Sequence, residues 1–79
     1  MEPIRITLEK GGSTYPDNPH EGEEFGYVLS GSICLILGNR IIRVRKGESF
    51  YFTANTTHYI RASEKTGATL IWVSTPPSF

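Results

Sequence analysis

The chain has 79 residues with eight acidic and eight basic side chains, so its formal net charge at pH 7 is zero. This length supplies one small domain with a thin core, because a chain of this size buries only about 60% of its unfolded surface. Zero net charge gives no electrostatic footprint for nucleic acid or for an anionic membrane surface.

The sequence also lacks the signals of membrane insertion and export. The longest apolar run, residues 33–37, is far too short to cross a bilayer, and no signal-peptide pattern opens the chain. The single cysteine, Cys34, cannot form an internal disulfide. We therefore expect a cytoplasmic protein that makes no contact with a membrane.

Apolar residues occur in short alternating runs that Gly, Pro, Asn and Ser separate, and no segment has a helical period. This pattern predicts an all-β domain of about eight short strands, arranged as a sandwich or barrel. An extended tail is expected over residues 75–79, because two prolines fix its backbone. The runs that the alternation delimits cover residues 4–8, 24–30, 32–37, 40–45, 50–52, 58–62 and 68–74.

The run over residues 24–30 has two distinct faces. Because side chains alternate along a strand, Phe25 and Tyr27 are expected on the face opposite Glu24. Gly31 is expected to turn the chain into the next strand, which is apolar on both faces.

The two histidines of the chain, His20 and His58, are candidates for one site together with Glu24. In an extended backbone, His20 and Glu24 point to the same face because they are four residues apart. Imidazole and carboxylate groups together suit a divalent first-row metal such as zinc, manganese, iron or nickel. From the spacing alone, exposed or hydrogen-bonded polar residues without a metal are the alternative interpretation.

Glycine, histidine and glutamate recur at fixed spacings over most of the chain. The first set is Gly12, Asn18, His20, Glu24 and Gly31, and the second is Gly47, Thr53, Asn55, His58 and Ala62. These spacings resemble the two motifs of the cupin superfamily. Asn18 replaces the first histidine of motif one, and Thr53, Asn55 and Ala62 depart from motif two.

The resemblance implies an all-β small cupin, a double-stranded β-helix or jelly-roll barrel, as a single domain over residues 1–79. It also implies that His20, Glu24 and His58 are metal ligands and that Asn18 lies at the fourth ligand position. An amide oxygen is a poor substitute for imidazole on a borderline metal. The cofactor is therefore either a divalent metal (zinc, manganese, iron or nickel) or none, and in both cases the four residues are expected to bind the ligand.

Three segments, residues 22–31, 46–52 and 72–79, resemble one subgroup more closely. That subgroup is the C-terminal cupin domain of XRE-type helix-turn-helix transcriptional regulators, in which a DNA-binding helical bundle precedes a cupin sensor. No helical bundle precedes the cupin pattern in this chain. The chain is then expected to be either a fragment of a regulator or a stand-alone relative.

Two functions follow from the resemblance. The first is a sensor domain that binds a small-molecule effector, forms a homodimer, and contacts DNA only through a separate helix-turn-helix domain. The second is a small metal-dependent enzyme, such as a dioxygenase, isomerase or decarboxylase, in which open metal positions bind the substrate. We favour a binding domain over an enzyme because Asn18 leaves the ligand set incomplete.

Overall fold

Six β-strands and no helix make up the secondary structure of residues 1–76, the part of the chain that this computed structural model describes. All of their pairings are antiparallel. The prediction of an all-β fold is confirmed, with six strands in place of about eight. The strands are β1 (Glu2–Leu8), β2 (Glu23–Leu37), β3 (Arg40–Arg45), β4 (Ser49–Thr53), β5 (His58–Ala62) and β6 (Ala68–Thr75).

The long strand β2 belongs to two sheets. Its first half pairs with β4 and β6, and its second half pairs with β3 and β5. A bulge between Val28 and Ser30 and a positive φ of 72° at Gly31 redirect the strand between the sheets. The prediction that Gly31 ends one strand and begins another is wrong. Positive φ permits a bend as well as a reversal, and non-local pairing selects the bend.

The two sheets enclose one apolar core. Burial alternates along the first half of β2, so Glu24, Gly26 and Val28 face inward while Phe25 and Tyr27 face outward. The prediction that Phe25 and Tyr27 lie on the face opposite Glu24 is confirmed. Residues from both sheets then pack together between the inner faces. The core consists of Val28, Ile33, Leu35, Val44, Phe50, Phe52, Ala54, Ile60, Ala62, Ala68, Leu70 and Trp72.

The loop between β1 and β2 lies along the outer edge of β5 and is fixed there by backbone hydrogen bonds. The amide of Thr14 donates to the carbonyl of Ile60 at 3.0 Å. Asp17 and His58 exchange two backbone hydrogen bonds of 2.8 and 3.0 Å. This pairing brings the side chains of Asp17 and His58 to one end of the barrel.

The last strand extends one residue beyond its predicted end, to Thr75. Of the tail predicted over residues 75–79, residues 77–79 lie outside the described part of the chain. Within that part, no helix has the length and apolar character that crossing a membrane would require.

Candidate metal centre

Four side chains converge where the β1–β2 loop meets β2 and β5. Asp17 and His20 come from the loop, Glu24 from β2 and His58 from the first position of β5. One potential ligand atom from each lies within 4.8 Å of all the others. Three of the predicted site residues, His20, Glu24 and His58, are therefore neighbours in space. Asn18 is solvent-exposed on the loop.

Glu24 lies at the centre of the cluster and is only 3% exposed. Its Oε2 is 3.0 Å from Nε2 of His20 and 2.7 Å from Nε2 of His58. Its Oε1 accepts a 2.6 Å hydrogen bond from Nε1 of Trp72. A buried carboxylate is costly by several kcal/mol unless a proton or a cation compensates its charge.

Backbone carbonyls determine which nitrogen of each histidine carries the proton. Nδ1 of His20 is 3.1 Å from the carbonyl oxygen of Glu21, and Nδ1 of His58 is 2.8 Å from that of Thr56. A carbonyl oxygen can only accept, so Nδ1 is the donor in both rings. In the neutral imidazole, each Nε2 is then an acceptor, and each lies close to Oε2 of Glu24.

His58 has a buried nitrogen without a hydrogen bond. Its ring is 1% exposed, and Nε2 makes no hydrogen bond of acceptable geometry although Oε2 of Glu24 is 2.7 Å away. Two acceptors that lie this close together need a nearby positive charge to offset their repulsion. This arrangement fits a bound metal cation, and the carbonyl bonds at Nδ1 are the outer contacts that orient metal-binding histidines.

Asp17 completes the donor set. Its Oδ2 lies 3.5 Å from Nε2 of His20 and 3.4 Å from Nε2 of His58, and its side chain is half exposed. Two imidazole nitrogens and two carboxylate oxygens match the ligand preferences of zinc, manganese, iron and nickel. Two carboxylates also carry the charge that neutralises a divalent cation.

The surroundings raise the pKa of His20 above its usual value. The largest cause is the hydrogen bond from its ring to the carbonyl of Glu21, and the negative charges of Glu24 and Asp17 act in the same direction. Partial burial opposes them by penalising the charged imidazole. Without a metal, a proton on His20 partly compensates the two carboxylates.

Aromatic packing holds these groups in place. The ring of His58 packs against the rings of His20 and Phe52, each at a centroid distance of 5.1 Å. The ring of Phe50 contacts that of Trp72 edge to face at 5.9 Å. A Cβ atom at Gly26 would lie 2.2 Å from the ring of Phe50, so glycine is needed there for this packing.

A cavity of about 430 Å³ adjoins the cluster. Asp17, Glu24 and His58 form its polar end, while the remainder of its wall is uncharged. Tyr15 is 94% exposed, so the cavity reaches the protein surface beside this ring. The lining residues are Ile6, Thr14, Tyr15, Pro16, Asp17, Glu24, His58 and Trp72.

Sequence reasoning missed two residues of this site. Asp17 precedes Asn18 directly and is a carboxylate near the predicted ligand position, but the loop sequence does not specify which of the two side chains points to the cluster. Trp72 carries no such signal, because its contact with Glu24 depends on how β6 pairs with β2.

The comparisons with known proteins agree with the fold. Residues 4–74 match the family model described as Cupin domain. A sequence comparison with curated proteins finds no match.

Three solved structures illustrate the range of similar proteins. An RmlC-like cupin protein from Desulfovibrio desulfuricans matches with a TM-score of 0.80 and 23% sequence identity. The matched region covers 96% of this chain and 72% of the Desulfovibrio chain. An HTH_3 family transcriptional regulator from Vibrio cholerae matches with a TM-score of 0.78 and 21% sequence identity, over 95% of this chain and 43% of the regulator. Oxalate oxidase in complex with the substrate analogue glycolate matches with a TM-score of 0.75 and 26% sequence identity, over 91% of this chain and 40% of the oxidase. The chain therefore spans less than half of the regulator and of the oxidase.

Proposed function

Since the chain belongs to the cupin family, which its match over residues 4–74 establishes, we propose that it binds a small molecule at a protein-bound divalent metal. Asp17, His20, Glu24 and His58 supply the ligands in this proposal. The observation that carries it is the buried, unsatisfied Nε2 of His58, which faces a carboxylate oxygen at 2.7 Å. A metal cation between these atoms removes the electrostatic cost of their approach.

Each residue has a distinct task in this centre. The two Nε2 atoms and the carboxylates of Glu24 and Asp17 hold the cation, while the indole of Trp72 orients Glu24. When bound, the metal supplies a positive charge that attracts an electron-rich ligand group. The involvement of Asn18 in ligand binding stays a prediction.

We propose further that this domain is the effector-binding part of a bacterial-type transcriptional regulator. Support comes from the three segments that resemble regulator cupins and from the fold shared with the Vibrio cholerae regulator. The effector would act by binding one conformation of the regulator more tightly than another. DNA contact would come from a separate helix-turn-helix domain, because this chain has no net positive charge.

A metal-dependent enzyme is the second candidate, and one observation favours it. Asp17 completes a set of four potential metal donors. The presence of Asn18 at the fourth motif position therefore no longer leaves the ligand set incomplete. The similarity to oxalate oxidase is compatible with this candidate. Release of product from a small organic acid by the metal-loaded protein would support the enzyme, whereas reversible binding without turnover would support the sensor.

Metal analysis of protein purified without chelator tests the proposal directly. We expect about one zinc, manganese, iron or nickel ion per chain, and tight 1:1 binding when the metal-free protein is titrated. His58→Ala should abolish this binding, and Ile41→Ala, on the exposed face of β3, should leave it unchanged. Protein that neither contains nor binds a divalent metal would contradict the proposal.

We also propose that the chain forms a homodimer through the outer face of β2, β4 and β6. Phe25, Tyr27, Leu29 and Tyr51 are large apolar side chains exposed on this face. Phe25 lies directly opposite Tyr51 on one side and Val73 on the other, so the apolar surface is continuous across three strands. Continuous apolar surface of this kind is characteristic of association sites.

A further inference from the structure

We infer that the cavity beside the metal centre accepts a neutral or monoanionic chelator with an apolar tail and discriminates against small dianions. The inference rests on the proposed function, because the chelating end of the ligand needs the metal. It follows from the distribution of charge and of apolar surface around the cavity.

Within residues 1–76, the wall of the cavity contains no lysine or arginine to supply a positive charge. Its carboxylate and imidazole side chains, Asp17, Glu24 and His58, are all at the polar end. The one further titratable side chain among its described lining residues is the phenol of Tyr15 at the cavity mouth, which is never positively charged. Sites that hold multiply charged anions usually provide arginine or lysine. The metal is therefore the one cation available to a ligand in this cavity.

The charge of that metal is already balanced. The carboxylates of Asp17 and Glu24 each place a ligand oxygen within 4.8 Å of the other donor atoms. Their two negative charges together equal the positive charge of a divalent cation. A monoanion adds one uncompensated charge, and a dianion adds two at short range from both carboxylates. Repulsion between like charges in a partly buried site therefore penalises the dianion most.

The rest of the wall favours an apolar tail. Ile6, Pro16 and Trp72 provide uncharged surface, and the cavity volume lies in the range that holds drug-sized ligands. Such a volume exceeds what a metal-bound oxalate alone would fill. A ligand with a ring or branched chain would bury this surface and gain its hydrophobic free energy.

Tyr15 is placed to cover the tail. Its backbone is held on both sides, at Thr14 by the carbonyl of Ile60 and at Asp17 by the paired His58. Its ring, however, is 94% exposed at the cavity mouth. Because the backbone is already ordered, covering a ligand costs only the rotamer freedom of this side chain, and the rigid aromatic ring has few rotatable bonds to lose.

Calorimetric titration of the metal-loaded protein with three probes tests the inference. Pyruvate has the chelating monoanion alone, phenylpyruvate adds an aromatic tail, and oxalate is a dianion without a tail. We expect phenylpyruvate to bind about tenfold more tightly than pyruvate, because the tail buries apolar surface. Oxalate chelates free divalent metals more strongly than pyruvate does, so each affinity is compared with the affinity of the same probe for the free metal ion. Relative to that reference, we expect oxalate to bind the protein more weakly than pyruvate does, and metal content is measured after each titration.

Two matched variants locate the effect. Tyr15→Lys and Ile41→Lys each add one positive charge at an exposed apolar position, the first at the cavity mouth and the second on β3. Tyr15→Lys should remove most of the preference for phenylpyruvate and raise oxalate affinity about fivefold, as expected for an exposed ion pair. Ile41→Lys should change neither.

The outcomes separate this inference from the proposed function. Tight 1:1 metal binding together with an oxalate affinity that, relative to the free metal ion, exceeds that of phenylpyruvate would overturn the inference and leave the metal centre standing. Equal affinities for pyruvate and phenylpyruvate, or equal effects of the two lysine variants, would overturn it as well. Absence of metal binding would overturn both.

Discussion

The indole Nε1 of Trp72 donates a 2.6 Å hydrogen bond to Oε1 of Glu24, although the two residues lie 48 positions apart. The pairing of β6 with β2 makes this contact, because Gly26 lies opposite Trp72 and Glu24 opposite Ser74. With Oε1 occupied by the indole, Oε2 is the oxygen that meets both histidines. Trp72 thus orients the buried carboxylate at the centre of the site.

Replacing Trp72 by phenylalanine should therefore weaken both stability and metal binding. The variant keeps an aromatic ring but leaves a buried carboxylate oxygen without its donor, which costs about 1–3 kcal/mol of unfolding free energy. Loss of an orienting contact typically lowers metal affinity by about 10- to 100-fold. Chemical denaturation and calorimetry measure the two effects. Tyr51→Phe, which removes an exposed hydroxyl, is the control, and equal metal affinities in both variants would contradict the assigned role.

Substitution of the individual donors should reveal an order of importance. Glu24→Gln removes the central negative charge, so we expect metal affinity to fall about 100-fold, the loss expected when a direct ligand is removed. Asp17→Asn should produce a smaller loss because Asp17 is half exposed. Asn18→Ala should change the affinity less than about threefold, within the range of ordinary surface substitutions. A larger loss for Asn18→Ala than for Asp17→Asn would reverse the assignment of the fourth donor.

The local features of this fold were predictable from the sequence. Alternation predicted the strand positions and the opposite directions of Glu24 and Phe25, whereas the resemblance to the cupin motifs implied that His20, Glu24 and His58 would be neighbours. Only the alternation is a local feature, because it repeats every two residues within one strand, while His58 lies on a different strand from Glu24.

Features that depend on non-local pairing were not predictable in the same way. The continuity of β2 through Gly31 depends on pairing with four other strands. That Asp17 rather than Asn18 reaches the cluster depends on the pairing of Asp17 with His58. A shift of one residue in that pairing would reverse the directions of these two side chains, and the sequence of the loop does not specify the register.

Metal affinity should decrease as the pH is lowered. The pKa of His20 is raised, so the metal-free folded protein retains a proton on this ring to a higher pH than an unperturbed imidazole does. The metal must displace that proton, and competition increases as the pH falls through the raised pKa. Titrations between pH 5 and pH 8, a range of about three units around the ordinary histidine pKa, should show this trend. In His20→Gln, the dependence should be weaker, and an unchanged pH dependence would exclude His20 as a ligand.

In the metal-free protein, the contribution of His20 to folding stability should increase as the pH is lowered, whereas metal affinity decreases. A raised pKa in the folded state means that His20 stabilises the fold fully below its unfolded value of 6.5. This contribution is lost as the pH rises through the folded-state pKa. Denaturation of chelator-treated protein should therefore show the His20 contribution on the acid side, measured as the difference from His20→Gln at each pH. A contribution confined to alkaline pH would contradict the raised pKa.

The exposed aromatic face should determine the oligomeric state. Tyr51 is 79% exposed and lies opposite Phe25, which makes it a central position of the proposed dimer interface. Tyr51→Lys would place a charge within an apolar contact, so the variant should sediment as a monomer at concentrations at which the unmodified chain is a dimer.

Ile41→Lys adds the same charge on β3 and should leave the dimer intact. Because Glu24 and His58 of the proposed metal centre are buried in the barrel and Tyr51 faces outward, both variants should bind metal normally. An unmodified chain that sediments as a monomer at high concentration, or a dimer that survives Tyr51→Lys, would show that this face is not the interface.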